Sequence, residues 1–407
     1  MTVLTGFPHP VMTTEFLTSQ VAPLFDQSQH YLDCVATHGS PLYLVDSAKL
    51  IDQAGRFRTA FASRLPDTRF YFAMKCNAMP QISRILIAEG FGLDVSSGQE
   101  LATALDLGAP DIIFSGPGKT EHELLMAAAH PGRVTLLLDS IGECRRLMAL
   151  LAEKKQALSV GIRLNCQPEG LWRKFGIMPD QLPPLIQEIT AHPFLTCTGV
   201  QFHSSWNMTP DRQKEIISSL GSLLAGMPYE FLADCRFIDI GGGYWPETGE
   251  WLVSDDPLCH HHLPATPLET FAQELSEALI HHVLPHGNPC ICFEPGRWIC
   301  HDAMHILVQV IDKKTPDMVI TDAGTNAVGW ERFETDYFPV LNLTRPGLIE
   351  QPCHILGSLC TPHDVWGYSF FGSGIQEGDI LMIPFQGAYT YSLRQTFIKP
   401  LPRTAVI

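Results

Sequence analysis

The stretch Arg69-Phe-Tyr-Phe-Ala-Met-Lys75-Cys-Asn77 is a short aromatic and apolar run closed by a single lysine. An amine at the mouth of such a run is partly desolvated, which favours the neutral form that condenses with an aldehyde. A lysine snorkelling out of a strand end is the other reading. Further apolar runs end in groups with chemistry of their own: Asp94, Arg163 with Asn165, His203-Ser204-Ser205, Gly241-Gly242-Gly243, and Glu294-Pro-Gly296-Arg297. Consecutive glycines let backbone N–H groups approach an anion closely and tolerate positive φ. A phosphate suits that nest, and Arg297 adds charge and donors; a plain tight turn is the alternative. Glu294 closes a buried run and needs a partner, either a ring N–H or a lysine or arginine. His203 can stack on a planar ring or sit satisfied in a core.

These groups need a scaffold that brings strand ends together. Apolar, strand-like runs occur at 69–75, 92–97, 112–116, 134–139, 159–165, 197–203, 236–241 and 290–294. Helix-like segments separate them near 80–90, 99–108, 120–130, 141–154, 180–192, 210–226 and 266–284. That alternation predicts an α/β fold, a (β/α)8 TIM-like barrel, with a doubly wound open sheet as the alternative. In a barrel the active site lies at the C-terminal ends of the strands, where the groups above converge. A lysine for an aldehyde, an acid for a ring nitrogen and glycines for a phosphate together fit pyridoxal 5'-phosphate.

After about residue 300 the rhythm becomes strand and turn, with runs at 305–313, 318–322, 339–344, 353–360 and 379–384. This predicts a C-terminal β domain, a barrel or sandwich. The run Pro41–Asp46 is expected to complete it. The expected domains are thus 47–297 for the cofactor-binding barrel, and 1–46 with 298–407 for the β domain.

The 407 residues suffice for two full cores, and the formal net charge of −16 argues against nucleic acid or an anionic membrane as partner. No stretch reaches the roughly 18 uninterrupted apolar residues of a membrane helix. The N-terminal residues lack the pattern of a signal peptide, and the 12 scattered cysteines read as reduced thiols, so a cytoplasmic location is expected. Cys259-His260-His261-His262 places ligand types side by side, whereas zinc sites favour spaced ligands; no metal is expected, and a loop near the rim is.

The motifs, in order, resemble those of the fold-type III pyridoxal-phosphate decarboxylases, the ornithine and diaminopimelate decarboxylase family. Phe72-Ala-Met-Lys75-Cys-Asn77 resembles its Tyr-Ala-x-Lys-x-Asn, and Asp94-Val-Ser-Ser97-Gly-Gln-Glu100 its Asp-x-x-Ser-x-x-Glu. Lys174-Phe-Gly176, Asp239-Ile-Gly-Gly-Gly243 and Glu294-Pro-Gly-Arg297 match without change. Cys360-Thr-Pro-His-Asp364 and Gly387-Ala-Tyr389 resemble its Cys-x-x-x-Asp and Gly-Ala-Tyr. The resemblance implies that Lys75 holds the cofactor covalently, His203 stacks on its ring and Glu294 pairs with its ring nitrogen. Gly241–Gly243, Gly296, Arg297 and Tyr389 would hold the phosphate. Asp94 belongs to the same cofactor-binding set, and Cys360 would protonate the carbanion. It further implies a homodimer with shared sites, Cys360 coming from the partner subunit. The acid at Glu294 separates the chain from alanine racemases, which have an arginine there.

Two departures bear on the substrate. The family's His-x-Gly-Ser is here His203-Ser204-Ser205-Trp206, so Ser204 or Ser205 is expected to replace the phosphate-binding serine. Thr361 stands where the family places an acid against the substrate's distal amine, leaving Asp364 as the remaining acidic contact. Cys-Thr-Pro-x-Asp resembles a sub-branch acting on citrate-linked amino acids of siderophore pathways or on carrier-linked amino acids. The alternatives are a diaminopimelate, ornithine or lysine decarboxylase, or a catalytically inactive regulatory homologue. Retention of Lys75, Glu294 and Cys360 speaks against the last.

Overall fold

The structure, a computed structural model, describes residues 10–329 and 336–407. The chain divides into two compact units. One comprises Ile51–Trp245 and Thr266–Ile299; the other comprises the chain up to Leu50, Pro246–Ala265, and Cys300 onward.

The first unit is a closed barrel of eight parallel strands. They are Thr68–Ala73, Gly92–Val95, Ile112–Phe114, Val134–Leu138, Leu158–Arg163, Leu195–Gln201, Phe237–Asp239 and Cys290–Phe293. The last pairs with the first, Phe293 opposite Phe70, so no edge is left open. The open-sheet alternative is thereby excluded. Helices Pro80–Ala88, Gly98–Asp106, Glu121–Ala128, Ile141–Lys154, Leu182–Thr190, Asp211–Ala225 and Leu268–His282 lie between successive strands. Strands such as Gly92–Val95 and Cys290–Phe293 are buried along their whole length, which is why they read as continuous apolar runs and do not alternate.

Three successive helices start with the same device. Ser97, Thr120 and Ser140 cap them, each accepting the N–H of a glutamate three residues on. Glu123 closes a full capping box on Thr120. Glu100 and Glu143 reach one residue further back, to the N–H groups of Ser96 (2.7 Å) and Asp139 (3.2 Å). Those two carboxylates therefore pin the ends of the second and fourth barrel strands, where chemistry is delivered.

The second unit carries an eight-stranded sheet. Its longest strand, Met304–Thr315, runs antiparallel to Leu42–Val45, with Leu42 opposite Leu307. Arg403–Val406 then adds in parallel on the far side of Leu42–Val45. One part of the expected domain division is corrected. Residues 246–265, expected within the barrel, belong to the β unit, where Glu250–Leu252 and His261–Leu263 form an antiparallel pair. Trp251 packs there in the cluster containing Met12, Leu17 and Tyr337, an apolar anchor that strand–helix alternation does not reveal. The histidine run is consequently not an open loop. His260 Nε2 lies 3.0 Å from Glu350 Oε1, and His262 Nε2 lies 2.8 Å from the Thr248 carbonyl. Among the described residues no group of three or more His, Cys, Asp or Glu has metal-binding geometry, and no helix is long and apolar enough to cross a membrane.

Candidate active site

Lys75 follows the first barrel strand, and its Nζ lies 2.6 Å from Asp94 Oδ2 at the end of the second. Ser115, beyond the third strand, donates to the other oxygen of Asp94 at 2.6 Å. The lysine is not desolvated as the sequence suggested. Its side chain is 34% exposed and ion-paired, while Asp94 is fully buried. Burial, and then the charge of Glu294, raise Asp94, while Lys75 and Ser115 pull it down.

The glycine turn follows the seventh strand. Gly241 and Gly243 have φ of 69° and 81°, a region that β-carbons oppose. A Cβ on Gly242 would stand 2.1 Å from the Glu294 carbonyl, and one on Gly243 2.2 Å from the Ser204 carbonyl. Three strand ends meet here with no space for side chains, and the Gly241 N–H is held by Asp239 Oδ1 at 2.8 Å.

His203 lies beside this turn. Its Nδ1 accepts the Gly242 N–H at 3.2 Å, and its Nε2 faces Ser205 Oγ at 3.2 Å. That pairing selects the neutral tautomer with the proton on Nε2. Burial depresses the imidazole below its ordinary value, against the pull of Glu294. Glu294 is 2% exposed, and its hydrogen bonds from Gln201 Nε2 are long, 3.4 and 3.5 Å. Burial opposes its charge, but His203, Lys75 and Arg163 outweigh it and hold the carboxyl below its ordinary range. A buried carboxylate this poorly supplied has room for further strong donors. The ring N–H of pyridoxal phosphate is such a donor, and the side-chain-free turn beside it suits a phosphate, so the residues present fit the cofactor.

The two serines divide. Ser204 is fully buried, and its hydroxyl donates to Asn207 Oδ1 at 2.9 Å. It is committed to the loop, which removes it from the phosphate set expected for it. Ser205 is half-buried, next to His203 Nε2. Trp206, at the family serine's position, has φ 54° and is 61% exposed. Arg297 lies over the Trp245 ring at 4.2 Å, and Gly296 packs so closely on Cys76 that a Cβ would meet its Cβ at 2.8 Å.

Residues 48–301 match the family described as "Pyridoxal-dependent decarboxylase, pyridoxal binding domain". The chain belongs to this family. The decarboxylase is therefore an enzyme that uses pyridoxal phosphate. It is 27% identical, over 91% of its length and 87% of the relative's, to the diaminopimelate decarboxylase of Methanothermobacter thermautotrophicus. It is 24% identical, over 81% of its length and 85% of the relative's, to the 2-[(L-alanin-3-ylcarbamoyl)methyl]-2-hydroxybutanedioate decarboxylase of Staphylococcus aureus. Its fold is that of the diaminopimelate decarboxylase of Helicobacter pylori complexed with L-lysine, with a TM-score of 0.78, 24% identity, and coverage of 93% and 94% of the two chains.

The remaining expected site residues lie in the β unit of the decarboxylase. Cys360 is exposed, Thr361 and Tyr389 are half-buried, and Tyr389 has φ 57°. Asp364 does not serve as expected. It is 2% exposed, and its carboxylate accepts the Thr325 N–H (2.7 Å), the Thr325 hydroxyl (3.1 Å) and the Leu359 N–H (2.7 Å). It is the internal brace of the turn that presents Cys360, not a group waiting for a substrate amine. Sequence reasoning missed Asn207, whose Nδ2 ties the Ser204 carbonyl to that of Gly242, both at 3.0 Å. It gave no role to Gln201, and none to Asp239 beyond its place at the head of the Asp239–Gly243 motif; three-dimensional register brings the two together.

Proposed function

We propose that the enzyme is an α-decarboxylase of an amino-acid derivative whose distal part is carboxylate-rich or carrier-linked, such as a citryl–amino-acid conjugate of siderophore assembly. One observation carries this reading. Asp364, the acid left in the Cys360 turn, has its oxygens taken by Thr325 and Leu359, and its neighbour is Thr361. An ammonium entering that turn would meet no acid from it, and a buried ammonium without a partner costs several kcal/mol. The Staphylococcus aureus relative, whose name describes an amino acid joined by an amide to a hydroxy-dicarboxylate, supports it. The Methanothermobacter relative supports the second reading, a diaminopimelate decarboxylase. His260 and His262 are engaged within the β unit and are not part of the proposal.

In this reading Lys75 holds the cofactor aldehyde, Gly241–Gly243, Gly296, Arg297, Tyr389 and Ser205 its phosphate, Glu294 its ring nitrogen and His203 its ring face. Pyridoxal phosphate, when bound, supplies the electron sink for the pair left on the α-carbon as CO₂ departs. Asp94 receives the Lys75 ammonium through its 2.6 Å contact and so sets the position of Nζ. Glu294 keeps a negative charge where the ring N–H must stay protonated. The Cys360 thiol delivers the proton to the α-carbon. The protein acts in the cytoplasm as a homodimer in which Cys360 and Thr361 of one subunit complete the site of the other.

The test is kcat/KM across citryl-diaminopropionate, citryl-serine, diaminopimelate, ornithine and lysine. A citryl conjugate turned over best supports the proposal. A free diamino acid favoured by about tenfold, or about 1.4 kcal/mol, overturns it.

A further inference from the structure

Asp239 is fully buried at the end of the seventh strand, flanked in register by Gln201 on the sixth and Cys292 on the eighth. Its Oδ1 accepts the Gly241 N–H. Its Oδ2 is buried with no hydrogen-bond partner among the described residues, as is Gln201 Oε1 nearby. Glu294, two residues beyond Cys292 on the neighbouring strand end, donates its N–H to the Gly241 carbonyl at 2.9 Å, and its charge is the strongest influence on Asp239 after burial. Two carboxyl groups side by side in a buried site have acceptors only, unless one of them carries a proton. His203 supplies none, because its Nδ1 already accepts from Gly242 and stands 3.8 Å from Glu294 Oε2.

We propose that Asp239 is a positioning residue that works as a neutral carboxylic acid, donating its Oδ2–H to the ionised Glu294. One proton then satisfies the orphaned oxygen of Asp239 and gives Glu294 a strong protein donor beside the long bonds from Gln201 and the ring N–H. It leaves a single negative charge on the pair, located on the residue read above as facing the ring nitrogen, so the inference rests on that reading. The charges sort accordingly. Glu294 has Lys75, Arg163 and His203 around it. Asp239 faces Glu294, Asp94, Cys292 and Tyr244, and burial followed by the Glu294 charge pushes it well above the ordinary carboxylate range. Asp94 is different, because Lys75 and Ser115 both donate to it. The acid thus has two tasks at two atoms. Oδ1 fixes the glycine turn, and Oδ2 fixes the orientation and ionisation of Glu294.

The test is infrared spectroscopy of the cofactor-loaded enzyme at neutral pH with aspartate carboxyls labelled with carbon-13. A protonated-carboxyl stretch that shifts with the label and disappears in Asp239→Asn is expected. Asparagine can still accept from Gly241 and donate to Glu294, whereas alanine can do neither, so Asp239→Asn should exceed Asp239→Ala in kcat by about tenfold or more. Should the alanine variant fail to fold, unfolding against pH decides. The folded wild type would hold a proton that the unfolded chain releases, so its stability relative to Asp239→Asn should fall as pH rises above the ordinary carboxylate range. No labelled protonated band, a band that survives in Asp239→Asn, or asparagine as damaging as alanine overturns the proposal. If the protein takes up no pyridoxal phosphate, the functional reading fails instead, and the band can still be sought in the cofactor-free chain.

Discussion

At the scale of single residues, neighbours with the same chemistry have opposite duties. Ser204 and Ser205 look interchangeable in the sequence, yet one hydroxyl points into the loop and the other lies against His203. Ser204→Ala leaves Asn207 Oδ1 without its donor in a buried site, which costs about 1–3 kcal/mol of stability. Ser205→Ala should leave stability almost unchanged and weaken pyridoxal phosphate binding, read as a higher Kd in cofactor titration. The reverse pattern would mean that the loop rearranges when the phosphate enters. Lys75, His203, Glu294 and the glycines were legible because each follows an apolar run that ends in a recognisable way. The direction of a serine hydroxyl was not, since Asn207 sets it from three residues away. Asp364 was misread for the same reason: its type and spacing fit a substrate contact, but Thr325 and Leu359, distant or differently oriented in the chain, consume its oxygens.

At the scale of elements, the barrel was legible because fully buried parallel strands and capped helices each carry a local signature. The β unit was less so. Val365–Phe371 and Arg403–Val406 were not anticipated as strands. The first pairs with Glu350–Leu356 through register shifts, and the second is a short edge whose partner, Leu42–Val45, lies near the other end of the chain. The turns between elements are where backbone geometry tolerates least. Gly242→Ala would drive a Cβ onto the Glu294 carbonyl. The barrel must either separate its seventh and eighth strand ends or unfold locally, so cofactor retention after gel filtration should fall at least about tenfold, with a loss of about 1–3 kcal/mol in stability. The β unit carries a pH response of its own. His305, on Met304–Thr315, accepts the Phe385 N–H at 3.4 Å and is buried between Tyr31 and Phe385. Burial lowers it to about 4, with Asp46 opposing and Lys49 adding to the effect. The unfolded chain binds a proton there from about pH 6.5 downward while the folded one does not, so stability falls as pH drops from about 6.5 to 4, by about 3 kcal/mol at most. His305→Gln should flatten that part of the pH–stability curve; an unchanged slope would assign acid lability to other groups.

At the scale of the whole molecule, the question is which chains make one active site. Lys75, Asp94, His203, Gly241–Gly243 and Glu294 belong to the barrel unit, and Cys360, Thr361 and Tyr389 to the β unit. The turn at Cys360 is built to present rather than to hide its thiol, since Asp364 fastens the turn from inside while Cys360 stays exposed. In the homodimer proposed above, each site takes its lysine from one subunit and its cysteine from the other. Lys75→Ala chains should lose the borohydride-trapped cofactor and nearly all turnover. Cys360→Ala chains should retain the cofactor but release product slowly or misprotonated. When equal amounts of the two chains are unfolded and reassembled together, random pairing makes half the dimers mixed. Each mixed dimer has one site with both Lys75 and Cys360 intact and one with neither. About a quarter of the wild-type sites should therefore return, a recovery that pairing within one chain cannot produce, because then no site would combine the two intact residues. Native mass spectrometry of the mixture measures the mixed dimers independently. Verified mixed dimers without recovered activity would place lysine and cysteine on the same subunit, and an enzyme monomeric at working concentration would remove the shared-site arrangement altogether.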